Sequence, residues 1–361
     1  MTHAIRAMML GASYKAHLYS SISKALASDT LFETLPVGRV WELPTGLNRL
    51  LRRRPNVIFT NLPPTTWYAR LYRHLRRQHI PIIVWLLGDF WREHSALLEA
   101  GSYTKRLLAP SYFLAWSSGL NLADRILATC AWLEKTVRER FPHKRTSVLY
   151  QGIDPDLWLG SPFEDHPYHF ESPAVGILQD NNILPKVRGL LRFSEVVKEM
   201  KDVNFYIAGG GHYTDMVKKA YADLPNVHFV GRLPYPDGVR RFFRSLRVYV
   251  LASGLDCCPN TLLEASLCRC PVVASRVGGI PELVVEGETG WTIPNAETDT
   301  WVDRIRDLLN DNELASRLGH QGQQFVLDRF SWKMQAIRLL SAFKEELRID
   351  VDQDSEDTSA R

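Results

Sequence analysis

Asp256 and Glu264 stand in the segment with the most capacity for chemistry, Ser253-Gly-Leu-Asp256-Cys-Cys-Pro259-Asn260-Thr-Leu-Leu-Glu264. The pattern predicts a strand ending near Ala252, a loop carrying Asp256, a turn at Pro259 and Asn260, and a helix opening at Thr261. Free backbone N–H groups at a helix start, with the helix dipole, favour an anion such as a phosphate. Glu264, about one turn in, can accept hydrogen bonds from a pair of hydroxyls, each contributing about 1.5–3 kcal/mol. A phosphate at the helix start and a diol at the carboxylate together describe a nucleotide sugar. The same spacing also suits an acid on a solvated helix face, so the surrounding elements have to decide.

Those elements alternate. Short apolar runs at 8–10, 57–60, 80–87, 125–129 and 146–150 read as buried strands, with helical patterns at 67–78 and 132–140. An aperiodic stretch rich in Pro, Asp and His follows. The alternation then restarts, with strands at 174–178, 203–208, 227–230, 248–252 and 271–274. Helices are expected at 189–200, 238–245, 261–267, 301–310, 313–328 and 331–347. Strands alternating with helices imply parallel sheets with crossovers. Ligands of such sheets sit at the carboxyl ends of the strands, here expected in a cleft between two lobes. The expected fold class is α/β, two Rossmann-like doubly wound domains. Residues 1–155 form the first domain, 156–173 a linker and 174–330 the second domain. A helix at 331–348 is expected to pack back on the first domain, and 349–361 form an acidic, disordered tail.

A chain of 361 residues, 45% hydrophobic and 23% charged, is neither disordered nor fibrous. Its five cysteines, Cys130, Cys257, Cys258, Cys268 and Cys270, are too few for a disulfide scaffold and lack zinc-knuckle spacing. Free thiols in a reducing, cytoplasmic compartment are expected. The first ten residues read as a buried strand rather than a secretory signal. Residues 107–123 are uncharged but interrupted, and fall short of a membrane span. Charge divides unevenly. Residues 1–150 hold 21 Lys and Arg against 9 Asp and Glu, whereas 151–361 hold 23 against 31. Arg49, Arg52, Arg53, Arg54, Arg70, Arg73, Arg76, Arg77, Lys105 and Arg106 make the first half basic. Such a half suits an anionic partner, anionic lipid first and nucleic acid second, or a solvated surface with no partner.

The Asp256 segment resembles the signature of retaining glycosyltransferases of family 4, which have the GT-B fold. Their pattern is Glu, seven residues, Glu, then Ala and Pro-Val-Val-Ala. Here it reads Asp256, seven residues, Glu264-Ala265, then Pro271-Val-Val-Ala274. Flanking segments agree: Tyr150-Gln-Gly-Ile-Asp154, Asn226-Val-His-Phe-Val-Gly231, Gly278-Gly-Ile-Pro-Glu282, Gly287-Glu-Thr-Gly290 and Phe330-Ser-Trp332. The resemblance implies a two-lobed enzyme, donor-binding in its second lobe and acceptor-binding in its first. It would transfer a hexose-type sugar from a UDP- or GDP-sugar to an acceptor hydroxyl with retained configuration. No metal and no further cofactor are implied.

By this resemblance Glu264 binds the ribose hydroxyls, and Asp256 lies near the donor sugar. Pro259, Asn260, Thr261 and Leu262 form the turn whose amides hold the phosphate. Gly210, Arg232 and Leu233 belong to the donor site, and Gly11 and Ala12 to a tight first turn. Arg188 and Lys186 are expected together on the diphosphate, or else as surface cations ahead of a helix. Three departures stand out. Asp256 replaces the usual Glu and is shorter by about 1.5 Å. The family's diphosphate Arg is lost. Leu87 stands where many members carry a histidine, so Asp89, or less readily His17 or His94, would take the polar role. Phe90 and Trp91 either line the acceptor site or pack in the core.

The acceptor is expected to be a glycan or a lipid-linked saccharide on the cytoplasmic face of a membrane. That expectation rests on the basic first half and on residues 107–123, where Tyr112, Phe113 and Trp116 could rest on anionic lipid; a buried helix is the plain alternative. No nucleic acid is expected. Three rival readings remain at the level of sequence: a GT-B nucleotide-sugar epimerase, a nucleotide-sugar-binding subunit that has lost catalysis, and a nucleic-acid-binding protein.

Overall fold

In a computed structural model, residues 5–11, 16–26, 30–36, 43–100, 103–159 and 168–349 are described. Ala12, the middle of the linker (160–167) and the tail from 350 onward lie outside the described residues, as do the side chains of His17 and Lys105. The chain divides into two contact-defined units: residues 1–88, 103–152 and 332–361, and residues 89–102 and 153–331. Asp89–Ser102 therefore sits with the second unit although it interrupts the first in sequence.

The elements, in chain order, begin with β1 (Ile5–Gly11), α1 (Ala16–Ala25), β2 (Thr30–Pro36), α2 (Leu43–Arg53), β3 (Val57–Thr60), α3 (Thr66–Arg76) and β4 (Ile82–Leu86). They continue with α4 (Phe90–Ala100), α5 (Tyr103–Leu122), β5 (Arg125–Ala128), α6 (Ala131–Arg140), β6 (Arg145–Val148) and α7 (Asp156–Leu159). The next are β7 (Ala174–Asp180), α8 (Leu184–Glu199), β8 (Asn204–Gly210), α9 (Thr214–Ala220), β9 (Val227–Gly231), α10 (Asp237–Arg244) and β10 (Val248–Leu251). The last are α11 (Asn260–Leu267), β11 (Val272–Ser275), β12 (Gly290–Ile293), α12 (Thr298–Asn310), α13 (Asn312–Phe330) and α14 (Trp332–Leu347).

The first unit carries a six-stranded sheet of order β2-β1-β3-β4-β5-β6, all parallel. Strands buried on both faces read as continuous apolar runs, and β4, Ile82–Leu86, is buried at every position. One face of this core is closed by the last helix. Trp332, Ala336, Leu339 and Phe343 of α14 pack with Phe59, Trp85 and Leu127. Trp85 meets Trp332 edge-on at 6.1 Å, and its Nε1 donates to the Leu149 carbonyl at 2.9 Å.

The second sheet has the order β12-β11-β10-β7-β8-β9, again all parallel. Strand order reverses between β7 and β10, which is where ligands of such sheets bind. Val175 and Ile177 of β7 and Val248 and Val250 of β10 pack under α8, α9 and α12, with Phe193 against Trp301 at 5.3 Å.

Two departures from the sequence pattern bear on function. Helix α8 starts at Leu184, five residues before the expected start, because Pro185 is tolerated in a first helical turn, where the missing N–H has no partner to lose. Residues 103–122 form one helix, α5, which exposes Leu107, Leu108, Tyr112 and Leu114 and buries Ala109 and Leu120. No helix among the described residues is long and apolar enough to cross a membrane.

Candidate active site

The site starts at the carboxyl end of β10. Ser253 is fixed there: its N–H donates to Ser275 Oγ at 2.9 Å, and Asn295 Nδ2 donates to its carbonyl at 2.9 Å. Two glycines let α8 press against this loop. A Cβ on Gly189 would lie 2.2 Å from the Ser253 carbonyl carbon, and one on Gly254 would lie 2.2 Å from the Pro185 oxygen. The close approach brings Lys186 Nζ to 2.7 Å from Asp256 Oδ2. The Asp256 backbone is held from the other side. Its carbonyl accepts from Gly279 N at 3.0 Å, and Gly278, at φ +56, leaves only 1.9 Å between an added Cβ and that oxygen. The flanking Gly278-Gly279 pair thus seats the acid by backbone contact.

Lys186 and Asp256 form a mostly buried ion pair, with 24% and 10% of their side chains exposed. Burial works against the Lys186 ammonium, but the Asp256 carboxylate more than offsets it, and the lysine's pKa is raised. Helix α11 follows. Its N-cap, Pro259, is extended and supplies no side-chain cap, and Leu262 N–H turns back to the Pro259 carbonyl at 3.2 Å. Asn260 Oδ1 is buried here without a partner, as are both polar atoms of the Gln179 side chain and Asn181 Oδ1 at the end of β7. Buried polar atoms left unpaired at a strand end are the kind a polar ligand completes.

Glu264 is 5% exposed. Burial pushes its carboxyl up to about 8, opposed by a hydrogen bond from Tyr235. Tyr235 was not legible as a site residue. It lies between Pro234 and Pro236, its ring meets Trp158 edge-on at 6.0 Å, and its own pKa is raised by burial and by the carboxylate. Helix α10 anchors this corner: Arg240 Nη1 donates to Leu157 O at 3.0 Å and Arg244 Nη2 to Trp158 O at 3.2 Å.

The structure does not bring Arg188 to Lys186. Both lie in the first turns of α8, and two positions on a helix differ by about 200°. Lys186 faces Asp256, whereas Arg188 is exposed, donates to Glu99 Oε2 at 2.7 Å and borders a cavity of about 280 Å³. Asp89 is committed locally. Its Oδ1 accepts from Arg92 N at 3.1 Å at the start of α4, and its Oδ2 lies 3.4 Å from Arg92 Nε. Phe90 and Trp91 are buried, ring centroids 4.3 Å apart. Leu87 packs against the first core. Gly11 ends β1 opposite Pro36, and Ala12 is outside the described residues. Gly210 ends β8; a Cβ on it would lie 3.3 Å from Arg232 Nε, so Arg232 shares that corner, and Leu233 follows it past β9. Thr261 bonds to Tyr249, and Leu262 is buried. Among the described residues no group of three or more His, Cys, Asp or Glu is placed to hold a metal ion.

Comparison with known proteins gives a consistent result. Residues 182–311 match the family Glycosyl transferases group 1, and residues 19–157 match Glycosyltransferase Family 4. An uncharacterised glycosyltransferase of Methanocaldococcus jannaschii is 24% identical over 243 residues, 67% of this chain and 64% of that protein. A GDP-mannose-dependent alpha-(1-6)-phosphatidylinositol monomannoside mannosyltransferase of Mycolicibacterium smegmatis is 30% identical over 155 residues, 40% of each chain. The chain thus spans less than two thirds of the length of these two relatives. An Anabaena protein solved with UDP-glucose superposes with a TM-score of 0.69 at 16% identity, covering 94% of this chain and all of that one.

Proposed function

The chain belongs to the family-4-type glycosyltransferases of the GT-B fold, and on that premise we propose that it moves a sugar from a nucleotide diphosphate to an acceptor hydroxyl with the anomeric configuration retained. The observation that carries this reading is the Lys186–Asp256 pair, set at 2.7 Å in the loop that opens α11, with Glu264 buried one turn later.

In this reading the donor diphosphate meets the first amides of α11 and the Lys186 ammonium. Both stabilise the charge that develops as the bond from the anomeric carbon to the diphosphate breaks. Asp256 orients Lys186 and faces the sugar. Glu264 takes the ribose diol, whose hydroxyls replace the Tyr235 hydroxyl. The acceptor oxygen bonds to the anomeric carbon on the face the diphosphate leaves, and the departing phosphate oxygen takes the acceptor proton. Positive charge comes from Lys186 and the helix start rather than from a metal ion. Arg188, turned toward Glu99, has a lesser part than Lys186. Donor binding is assigned to the second unit and acceptor binding to the first.

The M. smegmatis relative is named for a GDP-mannose donor and a phosphatidylinositol-based acceptor. A GDP- or UDP-sugar donor and a lipid-linked saccharide acceptor are proposed here by analogy, with the basic first half drawn to the cytoplasmic face of a membrane. Calorimetry with UDP, GDP and their sugars, followed by product analysis with saccharide and lipid-linked acceptors, tests the reading. A folded protein that binds no nucleotide diphosphate overturns it, and turnover of donor without acceptor makes it an epimerase instead.

A further inference from the structure

Ten cations and no acids occupy two segments of the first unit. Residues 43–88 contain eight arginines and residues 103–123 contain Lys105 and Arg106, with no Asp or Glu in either. The same segments expose large apolar side chains. On α5, Leu107 and Leu114 are each 69% exposed, and on α3, Trp67 is 56% and Leu71 47% exposed. These residues lie along one line. Leu107, Ser111, Leu114 and Ser118 fall three or four apart on α5, and so share a face. Trp67 Nε1 donates to Ser118 Oγ at 3.2 Å, which joins that face to α3, where Trp67, Leu71 and Leu75 are spaced by four. Leu107 and Leu114, with Ser111 between them, therefore lead through Ser118 into Trp67, Leu71 and Leu75, a row that runs end to end over two helices. Arg77 ends it on α3 and Arg106 flanks it on α5, both exposed. Arg70 and Arg73 do not face outward in this way: they bond to Leu122 O and Asp124.

We propose that the α3–α5 stripe is a docking surface for an anionic lipid bilayer. A fold facing only water gains nothing by exposing a row of leucines and a tryptophan on two segments that carry no acid of their own. An anionic bilayer satisfies both features, because the apolar row enters the headgroup boundary while the arginines meet lipid phosphates. A nucleic acid would match the charge but not the leucines. The inference rests on the lipid-linked acceptor proposed above and names the surface that would bring the enzyme to it.

Sedimentation of the full chain with vesicles tests it, using phosphatidylcholine alone and phosphatidylcholine mixed with phosphatidylglycerol. Binding is expected to the anionic vesicles and to weaken with added salt. Leu107→Ser with Leu114→Ser should lower partitioning about tenfold or more, and Arg77→Glu with Arg106→Glu by a similar factor. Leu71→Ser, on the other helix, provides a second apolar test should the double variant not fold. UDP or GDP binding and the thermal midpoint of each variant are expected at wild-type values. Wild-type protein that leaves anionic vesicles unbound overturns the proposal, as do folded variants that bind like wild type. If the leucine variant instead converts an oligomer to a monomer and still binds vesicles, the stripe joins two copies of this chain and the proposal falls. Vesicle binding without any nucleotide binding would leave the surface standing and remove the transferase reading.

Discussion

Glu264 carries the clearest pH signature in the molecule. Its carboxyl, pushed up to about 8 by burial, ionises near its ordinary value once the chain unfolds. Between those two values the folded protein holds a proton that the unfolded chain has released. Stability therefore falls as pH rises from about 4.5 to about 8 and levels off above, by an amount on the order of a few kcal/mol. Glu264→Gln stays neutral throughout and should flatten that slope in denaturant titrations. It should also weaken nucleotide binding, since an amide offers one acceptor oxygen where the carboxylate offers two. Lys186 and Arg188 are separated by the same logic of placement. Lys186→Ala leaves Asp256 buried and unpaired and should lower kcat about 100- to 1,000-fold. Arg188→Ala breaks only an exposed pair with Glu99 and should change kcat by less than about tenfold. Equal losses in single-turnover assays would return the diphosphate to Arg188.

At the scale of elements, the sequence carried the strand–helix alternation well, because parallel strands buried on both faces write themselves as unbroken apolar runs such as Ile82–Leu86. The loop from Asp256 to Glu264 was legible for a related reason: its turn residues and acids lie close together in the chain. What could not be read was contact across distance. Tyr235 reaches Glu264 from a loop beyond β9, and nothing in its Pro-Tyr-Pro setting signals a carboxylate. The early start of α8 was hidden by Pro185, and with it the fact that Lys186 and Arg188 face different ways. Gly278 shows how such long-range fits are enforced. Its φ of +56 and the 1.9 Å from an added Cβ to the Asp256 carbonyl leave no room for a side chain. Gly278→Ala should displace Asp256, destabilise the second unit by about 2 kcal/mol or more, and impair donor binding, as calorimetry and thermal melts of the variant would record.

At the scale of the whole chain, the two units differ in how they are assembled from sequence. Apart from Asp89–Ser102, the second is one continuous run of residues. The first needs residues from either side of the second, since Trp332 and Phe343 of α14 fill the core beside Trp85 and Phe59. Trp332→Ala should cost about 3–5 kcal/mol in a denaturant titration. A fragment ending at residue 152 should lack a cooperative transition that a fragment with α14 restored shows. Charge reinforces the closure. Arg125 of β5 lies 2.8 Å from Glu345, and Arg145 of β6 lies 2.9 Å from Glu346, so the end of α14 is tied to the start of two sheet strands.

That closure sets an order of events during synthesis. The ribosome makes the strands of the first sheet early, but the helix that seals them is made only after the whole of the second unit. The later-made domain has by then left the exit tunnel nearly whole. The sheet that is translated first would be the last to finish folding, and a stop ahead of α14 would leave it with an open apolar face for chaperones to guard.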